Sequence, residues 1–481
     1  MKILFATSEL TPLAKVGGLG DVAGALPPAL SLLGQDIRVI IPKYNVIDDK
    51  KYSFELIAKN IDVAFGKVKE KINLYETAIP GTKTPVILID NPKYLGSGGI
   101  YFEKSAFVGS FKEIERFLFF SEAIIEVPRA MGWQPDIIHC QDWHTGILPL
   151  LIKIKKPKFK TIFTIHNLAN QGKWRAEKIF SFLGLSGREH PNLRKLTNRD
   201  LNLMEQGIMG ADIINTVSQT YAKEILTKEY GEGLENTLLE RKKDLYGIIN
   251  GIDINRFNPA TDKEIKTKYN INSLKRKGEN KIDLQKTVNL PKKEKAPLFG
   301  LVSRLTDQKG IDLTSEIIDE LVKFDLQIVF LGTGDPVLEK LLIEKQKKYP
   351  NKIFVKIGFD AKLAQKIYAG ADIFLMPSRF EPCGLGQMIA MRYGTVPVVH
   401  ATGGLKDTVE NFNYQNKTGD GFVFNNYKSE ELLKTITIAL KAFEDKKTWK
   451  KLMTNGMKKD FSWKNSAKKY FELYKKALSK K

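Results

Sequence analysis

The sequence predicts an α/β protein with two doubly wound domains, each built on its own parallel sheet. At 481 residues the chain is too long for a single hydrophobic core. Its start reads as a βαβ unit, because strand 2–6, a glycine turn entering a helix, and strand 36–41 follow one another. A regular series of short apolar strands and amphipathic helices then begins at residue 298 and continues to about residue 409.

The domain boundary is indicated by a change in amino-acid composition after Asn250. Residues 260–296 are lysine-rich and polar, and read as a connecting region with helical segments. The last residues read as an amphipathic helix. We therefore expect an N-terminal domain over residues 1–250, a C-terminal domain over 251–455, and a terminal helix over 456–481.

Polar side chains follow two short buried strands of the first half. Strand 136–139 leads into a turn with Asp142, and strand 161–165 leads into His166 and Asn167. Because the carboxyl ends of parallel strands meet at one edge of a sheet, these side chains indicate a site there. Structural histidines are common, so His166 alone would be weak support for a site.

A second candidate site lies between residues 378 and 409. A buried strand, 373–376, runs into a charged turn with Glu381, and Gly384 opens a predicted helix over 384–393. Strand 396–399 ends near Thr402 in another glycine turn that opens a helix. Helix N-termini offer free backbone N–H groups that suit phosphate. A carboxylate beside such turns is expected of an enzyme with a phosphorylated donor, and the alternative is two ordinary βα turns with a surface Glu.

Arg304 and Lys309 occupy the turn after the first strand of the second domain. Two cations near a helix N-terminus could stabilise a leaving diphosphate, although solvent-facing loop cations are the commoner case. The chain lacks an Asp-x-Asp pair, a Walker loop, a metal-spaced Cys/His cluster and a Ser/His/Asp elbow. The sequence therefore predicts neither a metal nor a cofactor.

Composition narrows the partners and the compartment. The formal charge is +21, but the lysines are spread along the whole chain without interleaved aromatic residues, which disfavours nucleic-acid binding. Two cysteines, Cys140 and Cys383, do not make a disulfide framework, and Cys383 reads as a packed thiol. No apolar run is long enough to span a bilayer, and the chain begins directly with a strand. A cytoplasmic location away from membranes is expected.

A dinucleotide fingerprint also has to be considered. Residues 18–23 fit its glycine spacing, but Asp36 precedes the second strand, whereas the fingerprint needs an acidic residue at that strand's end. The glycine turn also lies some distance past Ala6, and Lys15 stands within it. The nicotinamide interpretation is therefore disfavoured.

Several blocks together resemble the bacterial glycogen synthase and plant starch synthase family, in the right order and over nearly the whole chain. They are Lys-Val-Gly-Gly-Leu-Gly-Asp-Val (15–22), His-Cys-Gln-Asp-Trp-His (139–144), Thr-Ile-His-Asn (164–167), Ser-Arg-Leu-Thr-Asp-Gln-Lys-Gly (303–310), Ser-Arg-Phe-Glu-Pro-Cys-Gly-Leu (378–385), Thr-Gly-Gly-Leu-Lys-Asp-Thr-Val (402–409) and Asp-Phe-Ser-Trp (460–463). The set is far more specific than any one block.

The resemblance implies a GT-B type glycosyltransferase, with two Rossmann-like domains facing each other across a cleft and a C-terminal helix that crosses back to the first. It implies that glucose moves from ADP-glucose to the 4-OH at the non-reducing end of an α-1,4-glucan, with retention and without metal. The implied partners are ADP-glucose and glycogen, and the oligomeric state stays open.

The resemblance also implies roles for particular residues. Arg304 and Lys309 would neutralise the departing ADP, Glu381 would hold the donor sugar, His166 would line the opposite face, and Asp142 would lie near the glucosyl group. The remaining positions implied to contact substrate are Lys15, Gly17, Gly18, Glu9, Asn167, Asn250, Phe359, Cys383, Gly384, Leu385 and Thr402. Phe359 stands where the family often has a Tyr against adenine, and a Phe can stack equally well.

Some positions depart from the family pattern, mostly in the expected acceptor domain. They are Glu205 and Gln206, Gln219, His400, Asn170, and residues 103–115, which lack the usual Asp-Asn. Two alternatives therefore stay open: the same transferase with UDP-glucose or another acceptor, and an inactive protein that binds glucan or polyanions. The intact catalytic positions speak against the second.

Overall fold

The chain divides into two compact units. The structure is a computed structural model that describes residues 1–101, 111–155, 158–186 and 200–480. The first unit comprises Met1–Val217, Ala222–Gly251 and Trp463–Lys481, and the second comprises Ser218–Tyr221 and Ile252–Ser462.

The first unit is built on a nine-stranded sheet with the order β11-β10-β7-β6-β1-β2-β5-β4-β3. Its strands from β11 to β5 pair in parallel, and β4 and β3 complete the edge as antiparallel neighbours. A separate antiparallel pair is formed by β8 and β9. The strands are β1 (Lys2–Ala6), β2 (Asp36–Pro42), β3 (Glu55–Phe65), β4 (Val68–Ala78), β5 (Pro85–Asp90), β6 (Ile137–Gln141), β7 (Lys160–Ile165), β8 (Lys173–Arg175), β9 (Asp200–Asn202), β10 (Ile213–Thr216) and β11 (Leu245–Gly247).

Helices cover this sheet and bury the strands on both faces, which is why the central strands read as short apolar runs. They are α1 (Gly18–Ser31), α2 (Phe111–Ala130), α3 (Leu148–Lys155), α4 (Ala176–Leu183), α5 (Leu203–Gly210), α6 (Gln219–Glu224, which spans the boundary of the two units) and α7 (Glu235–Glu240), with 3-10 turns at Trp143–Thr145 and Lys242–Asp244. α1 contains a Pro-Pro pair at residues 27–28, and a proline inside a helix can kink or end it. The helix does not end there, because the N–H of Leu32 donates to the carbonyl of Pro28 at 3.0 Å and continues the ladder.

The second unit has a six-stranded parallel sheet with the order β14-β13-β12-β15-β16-β17. Its strands are β12 (Leu298–Val302), β13 (Gln327–Gly332), β14 (Ile353–Ile357), β15 (Ile373–Met376), β16 (Val396–His400) and β17 (Phe422–Phe424). Its helices are α8 (Lys277–Thr287), α9 (Ile311–Leu321), α10 (Pro336–Lys348), α11 (Ala361–Gly370), α12 (Gly386–Arg392), α13 (Gly403–Thr408), α14 (Ser429–Glu444) and α15 (Lys446–Lys458), with 3-10 turns at Ile271–Arg276 and Asp307–Lys309.

The lysine-rich stretch before β12 packs as part of the second unit. The ammonium group of Lys277 is buried and donates to the carbonyls of Tyr368 and Ala369 and to Oγ1 of Thr395, at 3.3, 2.7 and 2.7 Å. These bonds compensate for burial of the charged end, which would otherwise be costly. A polar composition therefore coexists here with a packed helix.

The last helix, α16 (Trp463–Ser479), belongs to the first unit. Its buried tyrosines are tied to the sheet: Tyr474 Oη lies 2.9 Å from Nδ1 of His139, and Asn215 donates to Tyr470 Oη at 3.0 Å. Trp463, Tyr470 and Tyr474 pack in the same hydrophobic core as β1 and β2. These three aromatic residues thus form the packed face of the amphipathic helix that the sequence predicts.

Candidate functional site

One group of predicted residues lies at the carboxyl edge of the first sheet. Glu9 follows β1, Asp142 follows β6, His166 follows β7, and Asn250 lies shortly after β11. Because these strands are parallel, their carboxyl ends share one edge, and the strand order runs in opposite directions on the two sides of β1. The sheet therefore brings together residues that are far apart in sequence.

Glu9 shapes the glycine turn that leads into α1. Its buried carboxylate accepts the backbone N–H groups of Val16 and Gly17 at 2.8 and 2.7 Å through Oε2. Its Oε1 accepts the hydroxyl of Tyr101 at 2.7 Å. A methyl group added at Gly18, the first residue of α1, would meet no atom within 4 Å. The start of α1 therefore has open space beside Gly18, as an anion site at a helix N-terminus requires.

Lys15 lies in the same turn and forms an ion pair with Asp21 at 2.6 Å. About a third of each side chain is exposed, with relative exposures of 37% and 31%, so the pair contributes little to stability. An ammonium group held in this way can exchange its partner for an anionic ligand. Asp21 lies inside the quoted glycine motif, whereas nothing in the sequence singles out Tyr101, and neither was predicted as a site residue.

Asp142 and Gln141, which are neighbours in sequence, both hold His166. Oδ1 of Asp142 accepts the backbone N–H of His166 at 2.7 Å, and Oε1 of Gln141 lies 2.8 Å from Nε2 of the imidazole. Asp142 has φ 54° and ψ −176°, a conformation that is rare outside glycine and costs about 1–3 kcal/mol. Gln141 is a site residue that the sequence argument missed, although it lies within a quoted motif.

Burial sets the protonation states in this cluster. It lowers the pKa of His166 to about 3, so the imidazole is neutral at neutral pH. It raises the pKa of Asp142 to about 7, against the opposing effect of backbone N–H groups of His166 and Asn167.

The two asparagines predicted for this edge differ in their hydrogen bonding. The side chain of Asn167 accepts the N–H of Ala169 at 3.1 Å, and Oδ1 of the buried Asn250 has no hydrogen-bond partner within the described ranges.

The buried imidazoles of His139 and His144 and the partly buried imidazole of His166 predict acid destabilisation. Burial lowers the pKa of each from 6.5 to about 3. The unfolded chain then binds more protons below pH 6.5, and each group removes up to about 1.4 kcal/mol of unfolding free energy per pH unit as the pH falls. Asp142, with its raised pKa, acts in the opposite direction between about pH 4 and pH 7.

The melting temperature should therefore fall as the pH is lowered from 6.5 to 4.5 at constant ionic strength. His139→Gln keeps a polar group beside Tyr474 and Thr164 and should lower proton uptake on unfolding by about one proton in this range. Stability that does not change between pH 6.5 and pH 5 would contradict the assignment of neutral buried imidazoles.

A second group of predicted residues lies at the carboxyl edge of the other sheet. The ammonium group of Lys309, in the turn after β12, lies 2.5 Å from Oε2 of Glu381, which follows β15. Oγ of Ser378 donates to the same oxygen at 3.2 Å. Both charged side chains are largely buried, with exposures of 15% and 7%. Arg304 is more exposed and donates to Gln308 at 2.8 Å, so its guanidinium remains accessible.

The turns after β15 and β16 pack directly on each other. The N–H of Gly404 donates to the carbonyl of Glu381 at 3.0 Å. Added Cβ atoms at Gly403 and Gly404 would lie 2.0 Å from the carbonyl oxygens of Glu381 and Cys383. Thr402 immediately precedes α13. The helix expected to open at Gly384 instead begins at Gly386, because Gly384 has φ +72° and belongs to the turn.

Other predicted positions surround these turns. Cys383 is buried, and Leu385 is the residue before α12. Phe359 follows β14 with 89% of its surface exposed, so its ring is available for stacking. The second unit therefore brings together Glu381, Lys309, Arg304, Thr402 and the glycine turns along one edge of its sheet.

Positions that depart from the family pattern are integrated into the fold. Glu205 lies in the first turn of α5, where its backbone N–H donates to the capping side chain of Asn202 at 3.3 Å, and its carboxylate accepts the hydroxyl of Thr237 at 3.0 Å. The ring nitrogens of His400 lie 2.8 and 3.3 Å from the carbonyls of Ser378 and Asn425. Buried oxygens of Asn170 and Gln206 lack hydrogen-bond partners within the described ranges. Residues 103–110 lie outside the described residues.

Two α/β units with parallel sheets, whose edges carry a cation–carboxylate pair and an open helix N-terminus, define a glycosyltransferase of the GT-B fold class. Residues 2–240 match the family model for the starch synthase catalytic domain, and residues 284–458 match that for glycosyl transferases group 1. A glycogen synthase from Thermotoga petrophila is 45% identical over 100% of this chain and 99% of its own length.

Two solved structures are similar in fold to this chain. The catalytic domain of starch synthase IV from Arabidopsis thaliana, bound to ADP and acarbose, matches with a TM-score of 0.89 at 31% identity over 99% of both chains. Sucrose-phosphate synthase from Thermosynechococcus elongatus shares the fold, with a TM-score of 0.61 at 17% identity over 99% of both chains. The chain belongs to the glycogen and starch synthase family and is a glucan-elongating glucosyltransferase.

Within the described ranges, no group of three or more His, Cys, Asp or Glu side chains is arranged to hold a metal ion. No helix among the same residues is both long and apolar enough to cross a membrane.

Proposed function

We propose that this enzyme transfers glucose from ADP-glucose to the non-reducing 4-OH of an α-1,4-glucan, with retention at C1. The observation that carries the proposal is the largely buried ion pair of Lys309 and Glu381 at one sheet edge, near the accessible guanidinium of Arg304. ADP as the nucleotide is supported by the similarity to starch synthase IV, whose structure contains ADP and acarbose.

In the second unit, Arg304 and Lys309 would receive the diphosphate. Breaking the C1–O bond leaves negative charge on the diphosphate and positive character on the sugar. Lys309 can shift toward the phosphate while it keeps contact with Glu381, and charge-assisted bonds of this kind are the strong ones. Glu381 would then bind hydroxyl groups of the donor glucose. The exposed ring of Phe359 would stack on adenine.

The glycine turns of the second unit would supply further donor contacts. Cys383, Gly384, Leu385 and Thr402 lie on the two packed turns that also carry Glu381. Backbone N–H groups at Gly384 and Leu385 would supply ligands for phosphate or sugar oxygens at such a turn, whereas the N–H of Thr402 already donates to the carbonyl of His400 at 2.9 Å. The packing of the turns fixes these groups relative to the Glu381 carboxylate.

In the first unit, Lys15 and the backbone at Gly17 and Gly18 would contact the donor, while Asp142, His166, Asn167 and Asn250 would bind sugar hydroxyls. Glu9 already accepts three hydrogen bonds within the unit, so its contribution is to hold the glycine turn in place. In the reaction the C1–O bond to ADP breaks, a C1–O4 bond forms on the same face, and the proton of the acceptor hydroxyl goes to the departing diphosphate or to solvent. A covalent intermediate and a front-face route both give this outcome.

The donor is tested by incorporation of labelled glucose into glycogen, with ADP-glucose and UDP-glucose compared side by side without added metal. We expect transfer from ADP-glucose with a clear preference. Preferential use of UDP-glucose would overturn the donor assignment and leave glucan elongation intact.

Gly18→Ala tests whether the N-terminus of α1 receives the donor. The added methyl group meets no protein atom within 4 Å, and Ala is a better helix former than Gly. The melting temperature should therefore be unchanged or slightly raised, whereas the KM for ADP-glucose should rise at least about tenfold if a bound phosphate needs that space. Gly278→Ala, also at an open helical position, is the matched control and should leave KM unchanged.

A further inference from the structure

His166 is held from two sides by consecutive residues of one strand end. Oδ1 of Asp142 accepts its backbone N–H at 2.7 Å, and Oε1 of Gln141 faces its ring Nε2 at 2.8 Å. The backbone of Gln141 is itself fixed, because its N–H donates to Oγ1 of Thr145 at 2.7 Å and its carbonyl accepts that hydroxyl at 3.0 Å, while the buried side-chain nitrogen has no hydrogen-bond partner among the described residues. Gln141 and Thr145 are 1% and 0% exposed. The position and rotation of the imidazole are therefore closely determined.

The backbone of Asp142 indicates that this placement is maintained at some cost. Its φ of 54° and ψ of −176° lie in a region that glycine normally occupies, and such strain persists only where surrounding contacts enforce it. The hydrogen bond from His166 to the Asp142 carboxylate is one such contact. Strained residues of this kind cluster at functional sites.

The partner of Nε2 decides which ring nitrogen carries the proton. A neutral imidazole has one N–H donor and one acceptor, and the hydrogen bond at one nitrogen fixes the other. An amide oxygen can only accept, so it requires the proton on Nε2. No hydrogen bond from the described residues reaches Nδ1, and His166 retains partial exposure to solvent. Nδ1 is then left as an accessible lone-pair acceptor.

We propose that Gln141 is a positioning residue that locks His166 in the Nε2–H tautomer and so presents Nδ1 as an acceptor for a sugar hydroxyl. The inference rests on the proposed function, in which His166 meets the substrate. A hydroxyl group can donate to this nitrogen, whereas a phosphate oxygen cannot, so the lock favours the sugar over the diphosphate at this point. Rotation of the amide by half a turn would place its N–H against the ring and move the imidazole proton to Nδ1.

The tautomer can be read directly in the full-length enzyme. Two-bond ¹H–¹⁵N correlation spectra of ¹⁵N-histidine protein at neutral pH distinguish the two tautomers and the imidazolium, and His166→Asn assigns the resonance. We expect the Nε2–H pattern in the parent protein and a mixture of tautomers in Gln141→Leu. An Nδ1–H pattern in the parent, or an unchanged pattern in Gln141→Leu, would overturn the proposal. This readout needs no donor or acceptor, so it is independent of the donor assignment.

Kinetics then separate positioning from a structural role. Gln141→Glu keeps the size and the acceptor but adds a negative charge, which favours the imidazolium and turns Nδ1 into a donor. We expect its kcat to fall at least about tenfold at pH 7 and to recover as the pH rises and the ring loses its proton. Gln141→Leu should lose activity without this recovery.

Gln285→Glu is the matched control, since this buried amide pairs with Gln327 in the second unit at 2.7 Å. It should lower the melting temperature without changing the shape of the pH profile. If Gln141→Glu and Gln141→Leu lost activity equally, with pH profiles of the parent shape, Gln141 would have a structural role only and the proposal would be wrong.

Discussion

Replacing Glu381 by Ala is expected to reduce kcat by at least about 10²–10³-fold while the protein stays folded. The carboxylate lies 2.5 Å from the ammonium of Lys309 and accepts a hydrogen bond from Ser378. Without it, Lys309 would lose its partner and the donor sugar would lose its negative neighbour. Removing one partner of a buried ion pair typically costs about 3–5 kcal/mol, but Lys309 keeps 15% exposure and can rehydrate, so the protein should stay folded with a lowered melting temperature.

The measurement is kcat and KM for donor and acceptor, together with the melting temperature. Glu381→Gln keeps the shape and removes only the charge, so it should lose nearly as much activity as Glu381→Ala if charge is what matters. Asp319→Asn is a control, because it weakens an ion pair with Lys345 at 2.8 Å on the outer helices α9 and α10. Full activity in Glu381→Gln would refute an electrostatic role for this carboxylate.

The sequence was sufficient to predict many central strands, including β1, β2, β6, β7, β15 and β16, because the information is local, whereas the edge strands β11 and β17 were not predicted. Short apolar runs bounded by turns are buried parallel strands, and the polar residues after them, such as Asp142 and His166, are found at the strand ends. The family resemblance and the α/β fold class are both confirmed by the comparisons. The roles assigned to single residues remain predictions for the experiments described above.

What the sequence could not supply is the pairing of side chains across the sheet. Tyr101 donates to Glu9 across 92 residues, and Lys309 meets Glu381 across 72. No periodicity predicts such partners, because they depend on strand order and on the exact course of loops. Gln141 and His166 illustrate the same limit, since each stands in a separate motif and only the pairing of β6 with β7 brings them together.

The start of α12 shows how backbone conformation can override a local signal. Gly384 looked like the first residue of a helix, since it follows a strand and a charged turn. Its φ of +72° instead makes it part of the turn, and the helix begins at Gly386. A glycine before a helix can thus serve either as a helix start or as a left-handed turn residue, and the sequence pattern is the same for both.

Gly404→Ala is expected to be among the most damaging single substitutions in the second unit. The added Cβ would lie 2.0 Å from the carbonyl oxygen of Cys383 and 2.5 Å from its carbon, and backbone atoms cannot move aside by a change of rotamer. The turn after β15, which carries Glu381, would have to separate from the turn after β16. Overpacking of this kind typically costs about 1–3 kcal/mol of unfolding free energy, occasionally more.

The loss of activity should exceed the loss of stability. Displacement of a catalytic group by about 1 Å can reduce the rate by roughly 10²-fold, and Glu381 is joined to Gly404 by the 3.0 Å hydrogen bond that the methyl group would disrupt. Gly278→Ala is the same chemical change at a helical position with no atom within 4 Å, so it should be neutral or stabilising. Thermal unfolding and kcat should be measured for both variants. If Gly404→Ala had the same melting temperature and the same kcat as Gly278→Ala, close packing of the two turns would not be what positions Glu381.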